Sequence, residues 1–266
     1  MKKFLTLLSV SAAVASASIA SAGEAGKMYF KADAGYGMGK DKFSLSSSAA
    51  LTVGTKYKIA ADTKELSPTD NVFSKGFIGD VTFGYYISDE VRTDLMLSYA
   101  SKSATHELAL KDNADKDIKQ QFKNSSKNFA VMANAYYDFN TGSAFTPFVM
   151  AGLGAAYGSA TLDDSDLVKA LAGYGEVGKS GTTGNITDIK TSNKFGFAYR
   201  LGVGVAFEVS RGAYIDLAYA MNGRTGANTL ALEKAGATTA DPKSTFKYEL
   251  KPALTHSVTV GFRMTF

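Results

Sequence analysis

The run Ala253-Leu254-Thr255-His256-Ser257-Val258-Thr259-Val260-Gly261-Phe262-Arg263-Met264-Thr265-Phe266 decides the fold. Its alternate positions sort by chemistry: Leu254, His256, Val258, Val260, Phe262, Met264 and Phe266 on one face, Thr255, Ser257, Thr259, Gly261, Arg263 and Thr265 on the other. Strand side chains alternate between faces with a period of two, so this is a strand with one apolar face and one small or polar face. A terminal strand this apolar must be docked along its length rather than frayed. Either a second sheet covers the apolar face, as in a sandwich, or lipid does, as in a membrane barrel.

The other end of the chain favours lipid. Met1, Lys2 and Lys3 form a basic start, an apolar run follows from Phe4 to Ile19, and Ala20-Ser21-Ala22 has the small-residue spacing of a cleavage site. We expect residues 1–22 to be a secretory signal peptide and the mature chain to begin at Gly23, leaving one domain over 23–266. There is no cysteine. That excludes disulfides, a thiolate nucleophile and a lipid-modified cysteine. Beyond Ala22 no stretch approaches the roughly 20 apolar residues of a spanning helix, so insertion has to be by strands. The 26 glycines, 17 phenylalanines and 14 tyrosines suit an all-β chain. Two of the formal charges behind the +4 belong to Lys2 and Lys3, too weak a bias to argue a nucleic-acid partner.

Seven more strands read the same way: Met28 to Met38, Phe77 to Ile87, Val91 to Tyr99, Phe129 to Phe139, Phe145 to Tyr157, Phe195 to Val209 and Ala213 to Met221. Short turns at 88–90, 140–143 and 210–212 alternate with long polar segments at about 39–75, 100–127, 158–194 and 222–252, which are expected to be extracellular loops. Within the third, Asp163 to Leu171 suits a short helical turn. An even strand count, short turns at one end, long loops at the other and an apolar outer band define an eight-stranded antiparallel up-and-down transmembrane β-barrel.

The polar faces carry Lys31, Asp33, Asp80, Arg92, Asp94, Asp138, Arg200, Glu208, Asp216 and Arg263, and the apolar faces carry no such charge. A lipid-facing arginine or lysine would cost about 2 to 4 kcal/mol at the midplane, so the register is strongly specified. These ten groups are expected to form an ionic layer in the periplasmic half of the lumen, a satisfied barrel core rather than a catalytic site. Tyr29, Tyr86, Tyr136, Phe148, Met150 and Tyr214 point inward with them and help to fill the interior.

Phe83 to Leu95 (FGYYISDEVRTDL), Ala135 to Phe139 (AYYDF), Thr146 to Gly154 (TPFVMAGLG) and Val258 to Phe266 (VTVGFRMTF) resemble the opacity-type, OmpA-like outer-membrane barrels, most of all the surface adhesins of Rickettsia-like bacteria. The likeness covers the strands and none of the loops. It implies an eight-stranded barrel in the cell outer membrane, insertion by the outer-membrane assembly machinery through the terminal strand, and host-cell attachment by the loops. Tyr248, Val258, Val260, Phe262, Met264 and Phe266 are taken as the apolar positions of that C-terminal assembly signal. The peptidoglycan-binding domain of full-length OmpA is not expected after Phe266.

Three functions compete on these residues. The first is a non-enzymatic surface adhesin, a monomer touching lipid and a host-cell surface protein; long segments rich in lysine, among them Lys40, Lys42, Lys56, Lys58, Lys64, Lys116, Lys119, Lys123 and Lys127, motivate it. The second is a narrow porin-like or purely structural barrel, although eight strands enclose little more than their own side chains. Catalysis is the third. His106 and His256 are the only histidines, and no nucleophile constellation, metal-ligand spacing or phosphate loop accompanies them, so neither enzyme activity nor a cofactor is expected.

Overall fold

The computed structural model describes residues 23–53, 56–60, 63–66, 72–171, 174–176, 189–191, 194–234, 245–252 and 254–266. The expected signal peptide lies outside them, as does part of each long segment except 100–127. In chain order the elements are β1 (Met28–Gly39), β2 (Lys42–Ser47), β3 (Leu51–Val53), β4 (Tyr57–Ile59), β5 (Thr63–Leu66), β6 (Ser74–Tyr86), β7 (Val91–Lys111) and β8 (Asp117–Asp138). They continue as β9 (Phe145–Asp163), α1 (Ser165–Ala170), β10 (Tyr174–Glu176), β11 (Ile189–Lys190), β12 (Lys194–Ser210), β13 (Ala213–Arg224), β14 (Asn228–Lys234), β15 (Thr245–Lys251) and β16 (Thr255–Thr265).

Eight of these strands close a ring. Every pair in the succession β1, β6, β7, β8, β9, β12, β13, β16 is antiparallel, and β16 returns to β1 with Arg263 opposite Lys31 and Val258 opposite Tyr36. Closure pairs the backbone of every ring strand on both sides, which is what a bilayer demands of a strand inside it. The outward face is a continuous apolar wall containing Phe77, Phe83, Leu95, Leu97, Phe129, Leu153, Leu201, Val203, Val258 and Val260, all exposed. A wall of that extent in water would drive association, so its solvent is hydrocarbon. Inside, side chains are packed so closely that some neighbours have to be glycine: a Cβ at Gly84 would enter the Tyr29 ring, and one at Gly204 would enter Phe148.

The long segments are not plain loops. β7 and β8 run on as one ladder beyond the lipid wall to a tip at Asp112–Lys116, where Asp115 adopts a positive φ of 65° and the Asp112 carboxylate accepts the Ala114 and Lys116 amides at 2.8 and 2.9 Å. The other segments contribute a second antiparallel sheet in the order β10-β14-β15-β2-β5, together with the β3–β4 hairpin and α1. α1 begins where expected, with the Asp164 side chain accepting the Asp166 and Leu167 amides, a standard N-cap.

Between this second sheet and the extended ladder lies an apolar core that includes Leu45, Tyr57, Ile59, Leu108, Phe122, Leu162, Leu167, Leu230, Phe246 and Tyr248. The expectation of polar loops therefore needs correction: the barrel carries a folded cap. The physical reason lies in phase. In β7 the apolar side chains Leu95 and Leu97 point out to lipid, whereas beyond Tyr99 the apolar positions become Ala104, Leu108 and Leu110, which point in. Leaving lipid for water inverts the sheet from apolar-out to apolar-in, because water rather than hydrocarbon now faces the outside.

Candidate functional site

The lumen is stratified from the short-turn end upward. Lowest is a layer of two arginine clusters. Arg92 donates from Nε to both oxygens of Asp138 at 3.1 and 2.9 Å, and its guanidinium lies 3.9 Å from the ring centre of Tyr136. Tyr29 donates its hydroxyl to Asp94 at 2.8 Å, and Asn134 donates to the other Asp94 oxygen at 2.6 Å. Arg263 donates from Nε and Nη2 to Asp216, both at 3.2 Å, reaches the Tyr86 hydroxyl with Nη1, and stacks 4.3 Å from the centre of Tyr214. Lys31 bridges Asp33 at 3.1 Å and Asp216 at 3.5 Å. Bidentate, aromatic-backed arginine is the arrangement in which a desolvated ion pair holds its geometry.

Above it Arg200 meets Asp80 at 2.9 Å and touches the Met96 sulfur. Nine of the ten expected lumen charges are thus within ion-pair or hydrogen-bond reach of another lumen side chain. Glu208 is the departure. Only partly buried, it accepts the Gly212 amide at 3.3 Å, and so fastens the short turn between β12 and β13 instead of joining the layer. The layer is also one of packing: Phe148, Met150, Tyr136, Tyr214, Ala206, Ala218 and Ala220 form a buried cluster within the ring. Side chains occupy the space a solute would need.

A third level escaped the sequence reading. Lys102 contacts Asp41 at 3.3 Å and the Thr255 hydroxyl at 2.8 Å, and Asp41 also accepts from Ser74 at 2.6 Å. Both charged residues sit in segments taken for loops, and only the continued inward phase of β7 marked Lys102.

The C-terminal strand holds Val258, Val260, Phe262 and Met264 on the lipid wall, and Phe266 pairs with Met28 through N–H···O bonds of 2.9 and 3.1 Å. Tyr248 does not belong there. It lies on β15, buried in the cap with its hydroxyl 3.1 Å from Asn124, because β15 pairs with β2 and β14 rather than with a barrel strand. Burial raises its phenol pKa. His256 faces outward near the rim, 2.6 Å from the Tyr219 hydroxyl. His106 is buried on the inward face of β7, opposite Phe122. Among the described residues no group of three or more His, Cys, Asp or Glu side chains is placed to hold a metal ion.

The cap surface is largely charge-balanced. Lys56 pairs with Asp166, Lys58 with Asp115, Lys119 with Glu107, and Lys123 with Asp163. Hydrogen bonds from Lys56 and Lys58 hold the Asp166 and Asp115 carboxyls below the usual range, and Lys247 does the same for Glu249. Lys40, Lys42, Lys116 and Lys127 are exposed with no acidic partner among the described residues, and Lys64 lies among residues whose side chains are not described.

A closed antiparallel ring with a lipid-facing wall, a packed lumen and a folded cap defines a transmembrane β-barrel. Residues 4–234 match the family model described as the outer membrane protein beta-barrel domain, and the chain belongs to that family. It is a protein of the outer membrane. A Rickettsia conorii protein named as a candidate adhesin is 33% identical over 181 residues, which is 66% of this chain and 64% of that one. A Rickettsia typhi protein with the same kind of name is 28% identical over 99% of both chains. Outer membrane protein PagN of Salmonella typhimurium is 27% identical over 54% of this chain and 55% of its own. Among solved structures, OprG of Pseudomonas aeruginosa aligns over 91% of this chain and 98% of its own at 17% identity, with a TM-score of 0.49.

Proposed function

We propose that the protein is a non-enzymatic adhesin that presents its cap to a host-cell surface protein, with the barrel as its anchor. The observation that carries this reading is the cap itself. Segments that would otherwise be slack are built into a sheet with its own apolar core, which holds a polar outer face in fixed geometry. A pre-ordered surface loses less freedom on binding than a mobile loop. Around that face Lys42, Lys247 and Lys251 are exposed on the paired strands β2 and β15. Relatives named as candidate adhesins support the same role.

The lumen argues against the porin-like reading, since Arg92, Arg263, Tyr29 and Tyr86 fill it at one level. Triple substitution of Lys42, Lys247 and Lys251 by Glu leaves the cap core untouched. Bacteria displaying that variant are expected to attach to host cells several-fold less than those displaying the wild type at equal surface level. Unchanged attachment of the triple variant, and of a variant with 228–251 replaced by a short turn, would overturn the assignment.

A further inference from the structure

Between the arginine layer and the cap the barrel holds a half-open chamber of about 90 Å³. A single water needs roughly 10–15 Å³ of such space, so the chamber takes a guest of several non-hydrogen atoms. Its walls are mostly apolar and small: Ile78, Ala100, Ala130, Met132, Ala156 and Ala198. One cation lines it from β13. Arg224 contributes Nε, Nη1 and Nη2, all shielded from solvent and none with a hydrogen-bond partner among the described residues.

The contrast with the other inward arginines is the argument. Arg92 has Asp138, Arg200 has Asp80 and Arg263 has Asp216. Among the described residues no carboxylate is bonded to Arg224. Asp41 is close enough to act on it through space, but its Oδ2 is taken by Lys102 and Ser74. A desolvated guanidinium is a planar fork that a carboxylate satisfies with two parallel bonds. We infer that the chamber binds a short aliphatic monocarboxylate, its head on Arg224 and its hydrocarbon body against the alanine walls. A single free guanidinium matches one negative charge, since the Lys102 ammonium is already engaged, and the apolar walls disfavour a fully hydrated inorganic anion. This inference is independent of adhesion, because the chamber lies inside the barrel.

The test is calorimetric titration of the full chain, refolded in nonionic micelles, with butyrate, its neutral analogue butanamide and inorganic phosphate, while the Met132 methyl resonance is followed by NMR. Butyrate is expected to saturate a single site and shift Met132, with butanamide and phosphate at least tenfold weaker. Arg224→Gln is expected to weaken butyrate at least tenfold, and Ala156→Leu, which fills the chamber and keeps the charge, to abolish binding. Absence of saturable butyrate binding, equal binding of either control, or unchanged affinity in Arg224→Gln would overturn the assignment. Should Arg224→Gln fail to refold, Ala156→Leu decides: retained binding there overturns it equally.

Discussion

Asp216 receives the Arg263 guanidinium on two bonds of 3.2 Å, with both side chains fully buried inside the barrel seam. The same carboxylate lies 3.5 Å from Lys31, and Lys31 stands directly opposite Arg263 where β1 meets β16. Two like charges facing each other across a ladder repel, so Asp216 is what lets the barrel close at that level. Asp216→Asn keeps the shape and removes the charge. Breaking a buried pair on one side costs about 3–5 kcal/mol, and urea unfolding of the refolded barrel in lipid vesicles is expected to show a loss of that size.

The packed arginine layer also predicts transport behaviour. In planar bilayers the wild-type protein is expected to show no stable conductance. Arg92→Ser combined with Arg263→Ser removes the two guanidinium groups stacked on Tyr136 and Tyr214 and is expected to open a small, steady one. A stable wild-type channel would contradict the plugged lumen.

How much of this was legible in the sequence depended on which solvent faced each strand. Inside lipid, Phe129 and Val131 must point outward and Asp94 or Arg200 cannot, so a period of two is enforced residue by residue and the eight barrel strands stand out. In the cap that enforcement weakens. β3 and β4 are three residues each, too short to show a period, and Leu45 or Tyr248 sits among serines and lysines. β7 and β8 did carry an alternation beyond the membrane, but with its phase inverted, so Leu108 and Phe122 looked like stray apolar residues of a loop. Glu208 was placed by alternation alone, which cannot tell an inward side chain at mid-lumen from one bent back onto a turn amide.

If the cap is a folded layer rather than loop, it has a core that can be damaged separately. Phe122 is fully buried there and meets Tyr57 edge to face at 5.8 Å. Phe122→Ala is expected to cost about 3–5 kcal/mol locally. Limited proteolysis is expected to nick the cap of this variant while the barrel keeps its heat-modifiable migration on gels. Equal protease resistance of variant and wild type would mean that the cap core contributes nothing.

Acid offers a second handle on the cap. Asp166 on α1 is bonded to Lys56 in the turn before β4, and its carboxyl is held below the ordinary 3.8 by that bond. Asp115 at the hairpin tip is lowered in the same way by Lys58. A lowered folded-state pKa means stability that is present above the ordinary aspartate value and lost as pH falls through the lowered one. The Lys56 ammonium is raised by the same bond, so its contribution is present below the ordinary lysine value and lost only as pH rises through the raised one. The tether therefore holds across neutrality. Cap proteolysis by an acid-active protease is expected to rise below about pH 3.8, and Lys56→Met is expected to shrink that step by removing one of its two tethers at every pH, the Asp115–Lys58 pair keeping the remainder.

The seam itself yields the last prediction. Phe266 exchanges both backbone hydrogen bonds with Met28, and its ring centre lies 6.4 Å from that of Phe83 on the lipid side. Replacing the ring by a methyl leaves those backbone bonds and the rest of the β16 ladder in place, so the finished barrel loses only a surface contact in lipid, where apolar groups gain little from one another. Recognition during insertion is different: the terminal strand is then unpaired, and we propose that its aromatic end is what the assembly machinery reads. Phe266→Ala is accordingly expected to lower the outer-membrane level several-fold while leaving the urea midpoint of the refolded barrel nearly unchanged. A variant that reaches normal surface levels but unfolds early would reverse the argument, making Phe266 a staple of the folded seam rather than a signal for building it.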